Sequence, residues 1–156
     1  MLSILKKKVI LLHIIYHDEG GTHSCIIAAS MHLNLLPRDQ KPSKSQLLNL
    51  HNFHSLKKRQ LGLILFHGKD IYDNSIYTMG RKHAPVLIAN TLKSVAAMLG
   101  LDESEILCVN TSLKGNLYNL LGRICFQLGL TNIGNHLGVL DVLRSYEIIA
   151  AKVQKK

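Results

Sequence analysis

Hydrophobic positions change their period along the chain. Val9 to Tyr16 is a nearly unbroken, β-branched-rich apolar run, the pattern of a strand buried on both faces in the middle of a parallel sheet. Asp18-Glu19-Gly20-Gly21-Thr22-His23-Ser24 interrupts it with loop residues, and from Cys25 to Leu36 the apolar positions Ile27, Met31 and Leu35 recur at helical spacing until Pro37 halts the run. The opening unit is therefore a strand, a glycine loop and a helix. Ser43-Lys44-Ser45-Gln46 has the form of a capping box ahead of Leu47, Leu48 and Leu50, which predicts a second, short helix.

Leu61 to Phe66 and Ser75 to Met79 read as strands. The turn-rich stretches His67-Gly68-Lys69-Asp70 and Asp73-Asn74 between them predict an antiparallel hairpin, as an insertion or a sheet edge. Pro85 suits the first position of a helix whose apolar stripe is Ile88, Leu92, Val95 and Leu99 and whose stop is Gly100, following the usual asymmetry of proline at the start and glycine at the end. Asp102-Glu103-Ser104-Glu105 predicts one capped turn, Ile106 to Val109 a second buried strand, and Asn110-Thr111-Ser112 the loop that ends it. Asn116 to Leu128 reads as a helix closed by Gly129. Leu140 to Val153 reads as the last helix, with Leu143, Tyr146, Ile149, Ala150 and Val153 inward and room for a short strand before it.

Buried strands alternating with amphipathic helices imply one α/β domain over residues 1–156. The expected architecture is a three-layer sandwich on a mainly parallel sheet, P-loop-like or Rossmann-like, with a β-hairpin insertion. Such sheets take their ligands beyond the carboxyl ends of the strands, here His17 to Ser24 and Asn110 to Ser112.

Composition narrows this picture. With 156 residues, 47% hydrophobic and 19% charged, the chain is long enough to bury roughly 70% of its unfolded surface, which excludes a disordered tail. No apolar stretch approaches the roughly 20 residues of a membrane helix, and no small-residue cleavage site follows Val9 to Tyr16 as it would in a secretory signal. A cytoplasmic protein without a membrane partner is expected. Cys25, Cys108 and Cys125 are odd in number and lack CxxC spacing, the usage of buried reduced thiols.

A formal charge of +9 attracts phosphates, nucleic acid or an anionic surface without choosing among them. Much of it lies in Lys6-Lys7-Lys8, Lys57-Lys58-Arg59 and Lys155-Lys156, runs that read first as solvated faces. Zinc-finger spacing and interleaved stacking aromatics are missing, so nucleic acid stays an alternative partner through the Lys57-Lys58-Arg59 face. Its sign would be affinity that falls steeply with salt.

The glycine loop carries the most specific chemistry. Gly20 and Gly21 let the backbone turn tightly and approach a ligand, and the first amides of the following helix point at whatever sits there. An anion, phosphate or nucleotide, is the natural guest, with Thr22, His23 and Ser24 as further donors and Arg81 and Lys82 placed to swing over it. A nucleotide-cradling loop reads Gly, four residues, Gly-Lys-Ser/Thr. Here His17 stands at the first glycine, Thr22 at the second, His23 at the lysine and Ser24 at the hydroxyl. An unperturbed histidine is only about a tenth protonated near pH 7.5, so His23 serves better as acid, base or hydrogen-bond donor than as a charge clamp.

Asp18 and Glu19 oppose a phosphate unless a metal or a proton intervenes. Three readings stay open: His17 or His23 as proton-transfer groups with Asp18 orienting one of them, His17, His23 and Asp18 around a divalent metal, or a glycine turn that only caps the helix. His51 and His54, three apart, would share a face of a continuing helix as a further metal pair. Cys25 could gain nucleophilicity from the helix dipole, but it has no Cys-x5-Arg loop, since position 31 is Met. Packing is the plainer role.

Ile15-Tyr16-His17 followed by Gly20-Gly21-Thr22-His23-Ser24, then Ala28-Ala29, His32-Leu33 and Leu35-Leu36-Pro37, resembles domain-of-unknown-function family 3189, small proteins chiefly of spore-forming Gram-positive bacteria. The resemblance continues through Gly68-Lys69-Asp70, Tyr77, Gly80-Arg81 and the final helix. It implies Cys at the position of Asp18 and Ser at that of Cys25, so the chain departs from the family at both, and cysteine chemistry is weakened at both. The resemblance implies no reaction. It adds weight to His17, Gly20, Gly21, Thr22, His23 and Ser24 as a shared site. The functional expectation is a phosphate- or nucleotide-binding strand-loop-helix site with histidine-assisted phosphoryl or hydrolytic chemistry, and the alternative is a regulatory or macromolecule-binding module.

Overall fold

The sheet is built around its first strand. In a computed structural model of the chain, which describes residues 11–53, 60–113, 121, 122, 124, 125 and 127–153, β1 (His13–Asp18), β2 (Ile64–Lys69), β3 (Ser75–Gly80) and β4 (Ile106–Asn110) lie in the order β2-β3-β1-β4. β1 runs parallel to both neighbours, with His13 opposite Ser75 and Ile106, and His17 opposite Met79 and Asn110. β2 is antiparallel to β3 and forms an edge. The mainly parallel α/β sheet is thus as expected.

The bounds of β1 differ from the expected Val9–Tyr16. The strand starts at His13 and continues through His17 and Asp18, because β4 supplies ladder partners as far as His17 and β3 as far as Asp18. Positions 9 and 10 lie outside the described residues. The β1–β3 ladder runs on past Asp18, where the Arg81 amide donates to the Asp18 carbonyl (3.0 Å) and the Lys82 amide to the Glu19 carbonyl (2.9 Å). Gly80 is required there, since a Cβ on it would lie 2.8 Å from the Gly20 carbonyl oxygen.

Alternation along β1 divides the molecule into two faces. Ile14 and Tyr16 point into a core with Ile26, Ile27 and Met31 of α1 (Ser24–His32) and with Tyr146, Ile149 and Val153 at α5 (Tyr146–Lys152). α1 is buried from Ser24 to Met31, so it carries no polar face and needs none. It ends earlier than the expected Leu36: Asn34 takes a left-handed φ of 57° and Leu35 is 67% exposed, so Leu35 leaves the predicted stripe. On the opposite face lie Ile15 and its register partner Cys108, where Lys93 of α3 (Pro85–Met98) acts on the Cys108 thiol.

α3 has Pro85 at its start, and Gly100 follows it at φ 77°, as predicted. Its inward positions are Ile88, Leu92 and Ala96, whereas Val95 and Leu99 are exposed. The capping box at Ser43 forms as read and starts α2 (Lys44–Leu48). The expected single helix from Leu140 to Val153 is two, α4 (Thr131–Arg144) and α5, divided at Ser145, and helix rather than strand precedes Leu140. Of Asn116 to Leu128, residues 121, 122, 124, 125 and 127 are helical, 114–120, 123 and 126 lie outside the described residues, and Gly129 has φ 75°. Among the described residues no helix is long and apolar enough to cross a membrane.

Candidate functional site

The carboxyl ends of β1, β3 and β4 bring together three short segments: His17-Asp18, Gly80-Arg81 and Asn110-Thr111-Ser112. Register decides what each side chain meets. His17, Asn110 and Ser112 share one parity, and Arg81, two places after Met79, shares it with them. Asp18 and Thr111 have the other. Residues that sit together in the sequence therefore serve two different clusters on opposite sides of the sheet edge.

On the α1 side, Asp18 is the organising group. Its buried carboxylate accepts from the Gly21 amide, from Ser24 Oγ at 2.9 Å and from the Cys25 amide at 3.0 Å. Ser24 Oγ also meets Thr111 Oγ1 at 3.2 Å, and the Thr111 amide and hydroxyl both donate to the His17 carbonyl. The chain's own carboxylate thus occupies the Cys25 amide in the first turn of α1, where a helix N-terminus favours negative charge. Gly21, at φ 74°, makes the turn that presents its N–H to Asp18.

His23 borders this cluster. Its Nδ1 shares a 2.9 Å hydrogen bond with Thr22 Oγ1, and its ring stands edge-on to Phe53 with centroids 5.6 Å apart. Burial lowers its pKa, against the opposing charges of Asp18 and Asp141. Cys25 is fully buried, and burial together with the Asp18 carboxylate raises its thiol pKa well above the ordinary value. It is a packed residue rather than a nucleophile.

The other cluster centres on Arg81. The sequence suggests a mobile turn cation, yet Arg81 is buried at 9% exposure and fixed by four contacts. Nε donates to His17 Nδ1 (3.0 Å), Nη1 to the Lys82 carbonyl (2.6 Å), and Nη2 to Asn110 Oδ1 (3.0 Å) and Ser112 Oγ (2.6 Å). Because a guanidinium only donates, His17 Nδ1 must accept and Nε2 carries the ring proton. Burial first, and then the Arg81 charge, hold the His17 pKa down to about 4, so this imidazole is neutral near pH 7. Lys82 takes a left-handed φ of 53° and is exposed.

All four partners of Arg81 are neutral. The ten Asp and Glu of the chain all lie among the described residues, and among those residues none forms an ion pair with Arg81. A second cation adjoins: Lys152 Nζ donates to the Ser112 carbonyl at 2.8 Å, and burial lowers its pKa. α3 opens four residues after Arg81, with Ala84 at its N-cap, no side-chain cap and no acidic residue in its first turn.

The expected residues therefore separate. Asp18, Gly21 and Ser24 come together with Thr111, which reads from the sequence only as a loop residue, while His17 and Arg81 come together with Asn110 and Ser112. The hydrogen bonds of Asp18 go to the loop and α1 rather than to a histidine ring. Among the described residues no three His, Cys, Asp or Glu side chains converge as metal ligands. His51 follows the end of α2 in a turn, and position 54 lies outside the described residues, as do Lys6-Lys7-Lys8, Lys57-Lys58-Arg59 and Lys155-Lys156. Cys108 and Cys125 are half-buried rather than buried, and all three cysteines are free.

The family model for DUF3189, described as a protein of unknown function, matches residues 13–156. No curated protein and no solved structure matches the chain.

Proposed function

We propose that this chain, which belongs to the DUF3189 family, binds a phosphorylated small molecule or nucleotide at the carboxyl-terminal edge of its sheet, with Arg81 as the charge partner. The observation that carries this reading is the buried Arg81 guanidinium held by neutral groups alone. Burying an ion without a counter-ion costs several kcal/mol, and an anionic ligand repays that cost when it binds. Lys152, bound to the same Ser112, favours a doubly charged phosphate over a carboxylate. The uncapped start of α3 adds its dipole, whereas the start of α1 is already served by Asp18.

In this site Arg81 and Ser112 hold the anion, and His17 offers Nε2–H. The loop Gly20-Gly21-Thr22-His23-Ser24, locked by Asp18, forms the adjoining wall. The β3-β1-β4 order changes direction at β1, as at the switch points where open α/β sheets bind ligands, which supports a P-loop-like or Rossmann-like layout with the β2–β3 pair as a hairpin insertion. The protein acts in the cytoplasm. Where the bound ester is also turned over, His23 or His17 moves the proton.

Thermal unfolding against inorganic phosphate, nucleotides and phosphosugars tests the reading. A ligand at about 100 times its Kd stabilises the fold by roughly 2.7 kcal/mol, and the shift should vanish in Arg81→Gln. His23→Ala should keep the shift and lose turnover if the site is catalytic. No shift with any phosphate compound, or an undiminished shift in Arg81→Gln, would contradict it.

A further inference from the structure

We infer that the amino-terminal edge of the same sheet carries a second binding site, for a small molecule with one carboxylate on an apolar body. A cavity of about 370 Å³ opens there, within the roughly 300–1,000 Å³ of small-molecule sites. Leu12, Ile14 and Leu107 form the apolar part of its lining.

The polar part of the floor is closed upon itself. Asp70 Oδ1 accepts from the Tyr72 and Asn74 amides, both at 2.9 Å, and Oδ2 from Asn74 Nδ2 (2.8 Å) and His32 Nε2 (3.0 Å). These hydrogen bonds hold the Asp70 carboxyl below its ordinary pKa against the effect of burial. With Nε2 donating, His32 Nδ1 accepts from Tyr16 Oη at 2.7 Å. Asn74 Oδ1 accepts from the Leu12 amide at 2.9 Å. Asp70, His32 and Asn74 are thus engaged with one another and with β1, and they offer an entering molecule a surface that needs no further partner.

Arg38 on the lining differs. It makes no hydrogen bond or ion pair with any described residue, and every acidic residue of the chain is described. Its charge reaches into the site, where it opposes protonation of His32 alongside burial. Ile71 and Tyr72, at 80% and 53% exposure, stand on the same lining. An apolar body against the leucines and this lip, with its carboxylate on the Arg38 guanidinium in the fork geometry that arginine favours, uses every free feature of the cavity.

The test titrates the full chain, followed by amide NMR, with phenylacetate and hexanoate, and with phenylacetamide and hexanamide as uncharged controls at constant ionic strength. The acids should bind saturably, with shifts at Leu12, at Ile71 to Asn74 and at Leu107, and at least tenfold tighter than the amides. Arg38→Gln should reduce the acids to the level of the amides, and Leu107→Trp should abolish both. Arg81→Gln should leave the affinities unchanged, which separates this site from the opposite edge. Urea midpoints confirm that each variant is folded. The proposal is overturned if neither acid binds saturably, if acid and amide bind equally, if Arg38→Gln changes nothing, or if Arg81→Gln removes binding.

Discussion

Asp70 and Arg81 stand at opposite ends of the same parallel strands, both largely buried and both ionised, and the chain treats them differently. Asp70 at the amino end takes four hydrogen bonds, two from backbone amides and two from the side chains of Asn74 and His32. Arg81 at the carboxyl end donates to four neutral acceptors, one of them on Ser112, whose carbonyl also accepts from Lys152 of α5. Both charges are met by opposed dipoles of neutral groups, but those around Asp70 tie it into the buried chain to His32 and Tyr16, which makes it a fastening. Those around Arg81 hold it near a second cation, Lys152, with no acidic residue paired to it among the described residues, an arrangement preorganised for an anion. That difference gives the Asp70–His32–Tyr16 chain a fold-fastening role and supports the ligand role proposed for Arg81, although both involve histidines with lowered pKa.

Asp70→Ala removes the acceptor of all four hydrogen bonds, and the three part-buried donors left on Asn74 and His32, at roughly 1 kcal/mol or more each, should cost at least about 3 kcal/mol in urea unfolding. Phosphate binding by the surviving folded fraction should be unchanged. A loss below about 1 kcal/mol would mean that the chain of bonds fastens nothing.

Acid acts next, and it separates the two ends by proton linkage. The folded pKa of His17 is about 4 against an ordinary 6.5, so between those values the unfolded chain binds more protons than the folded one. The His17 contribution to stability is then fully present above pH 6.5 and is lost as the pH falls toward 4. His23, His32 and His67 are shifted in the same direction by burial and add to the fall. His17→Gln should flatten part of this dependence. In the intact chain inorganic phosphate should raise the His17 pKa, as followed by NMR, because the anion offsets the charge of Arg81, and His32 should not respond. A His17 pKa indifferent to phosphate would speak against an anion beside it.

Gly80→Ala probes the close approach of β3 to the glycine loop next to Arg81. Its Cβ would lie 2.8 Å from the Gly20 carbonyl oxygen and 2.9 Å from the Gly20 carbonyl carbon, both backbone atoms, so the glycine loop must move. We expect a cost of about 1–3 kcal/mol, typical of overpacking, with weakened phosphate affinity. Unchanged stability would show that the loop has more room than the structure gives it. The smallest stability effect should come from Arg81→Gln, within about 1 kcal/mol of the native chain, because relief of an uncompensated charge offsets the lost hydrogen bonds. A loss as large as that of Asp70→Ala would make Arg81 a fastening too.

Local signals were legible where one segment decides its own structure. The capping box at Ser43, Pro85 at the start of α3, and the strand-loop-helix unit around Gly20 and Gly21 could be read because turn and capping chemistry is written in adjacent residues. The end of β1 could not, since His17 and Asp18 look like loop and become strand only through partners more than sixty residues away. For the same reason the expected single site of His17, Asp18, the loop and Arg81 divides in two. Which side of the sheet a residue faces follows from register, and register is a property of pairing. The burial of Arg81 and the bond between His32 and Asp70, 38 residues apart, carry no local mark at all. Asp18 was legible as an obstacle to phosphate at the loop, and the structure gives the reason: it already accepts the amides a phosphate would use.

The most direct measurement is an NMR titration of the isotope-labelled full chain with inorganic phosphate, observing the Arg81 Nε–H resonance. A saturable shift of that proton is expected together with shifts of the Ser112 and Lys82 amides, while the amides of Tyr72 and Asn74 beside Asp70 stay in place. A linear, unsaturable drift spread over exposed lysines, with Arg81 Nε–H unmoved, would contradict it.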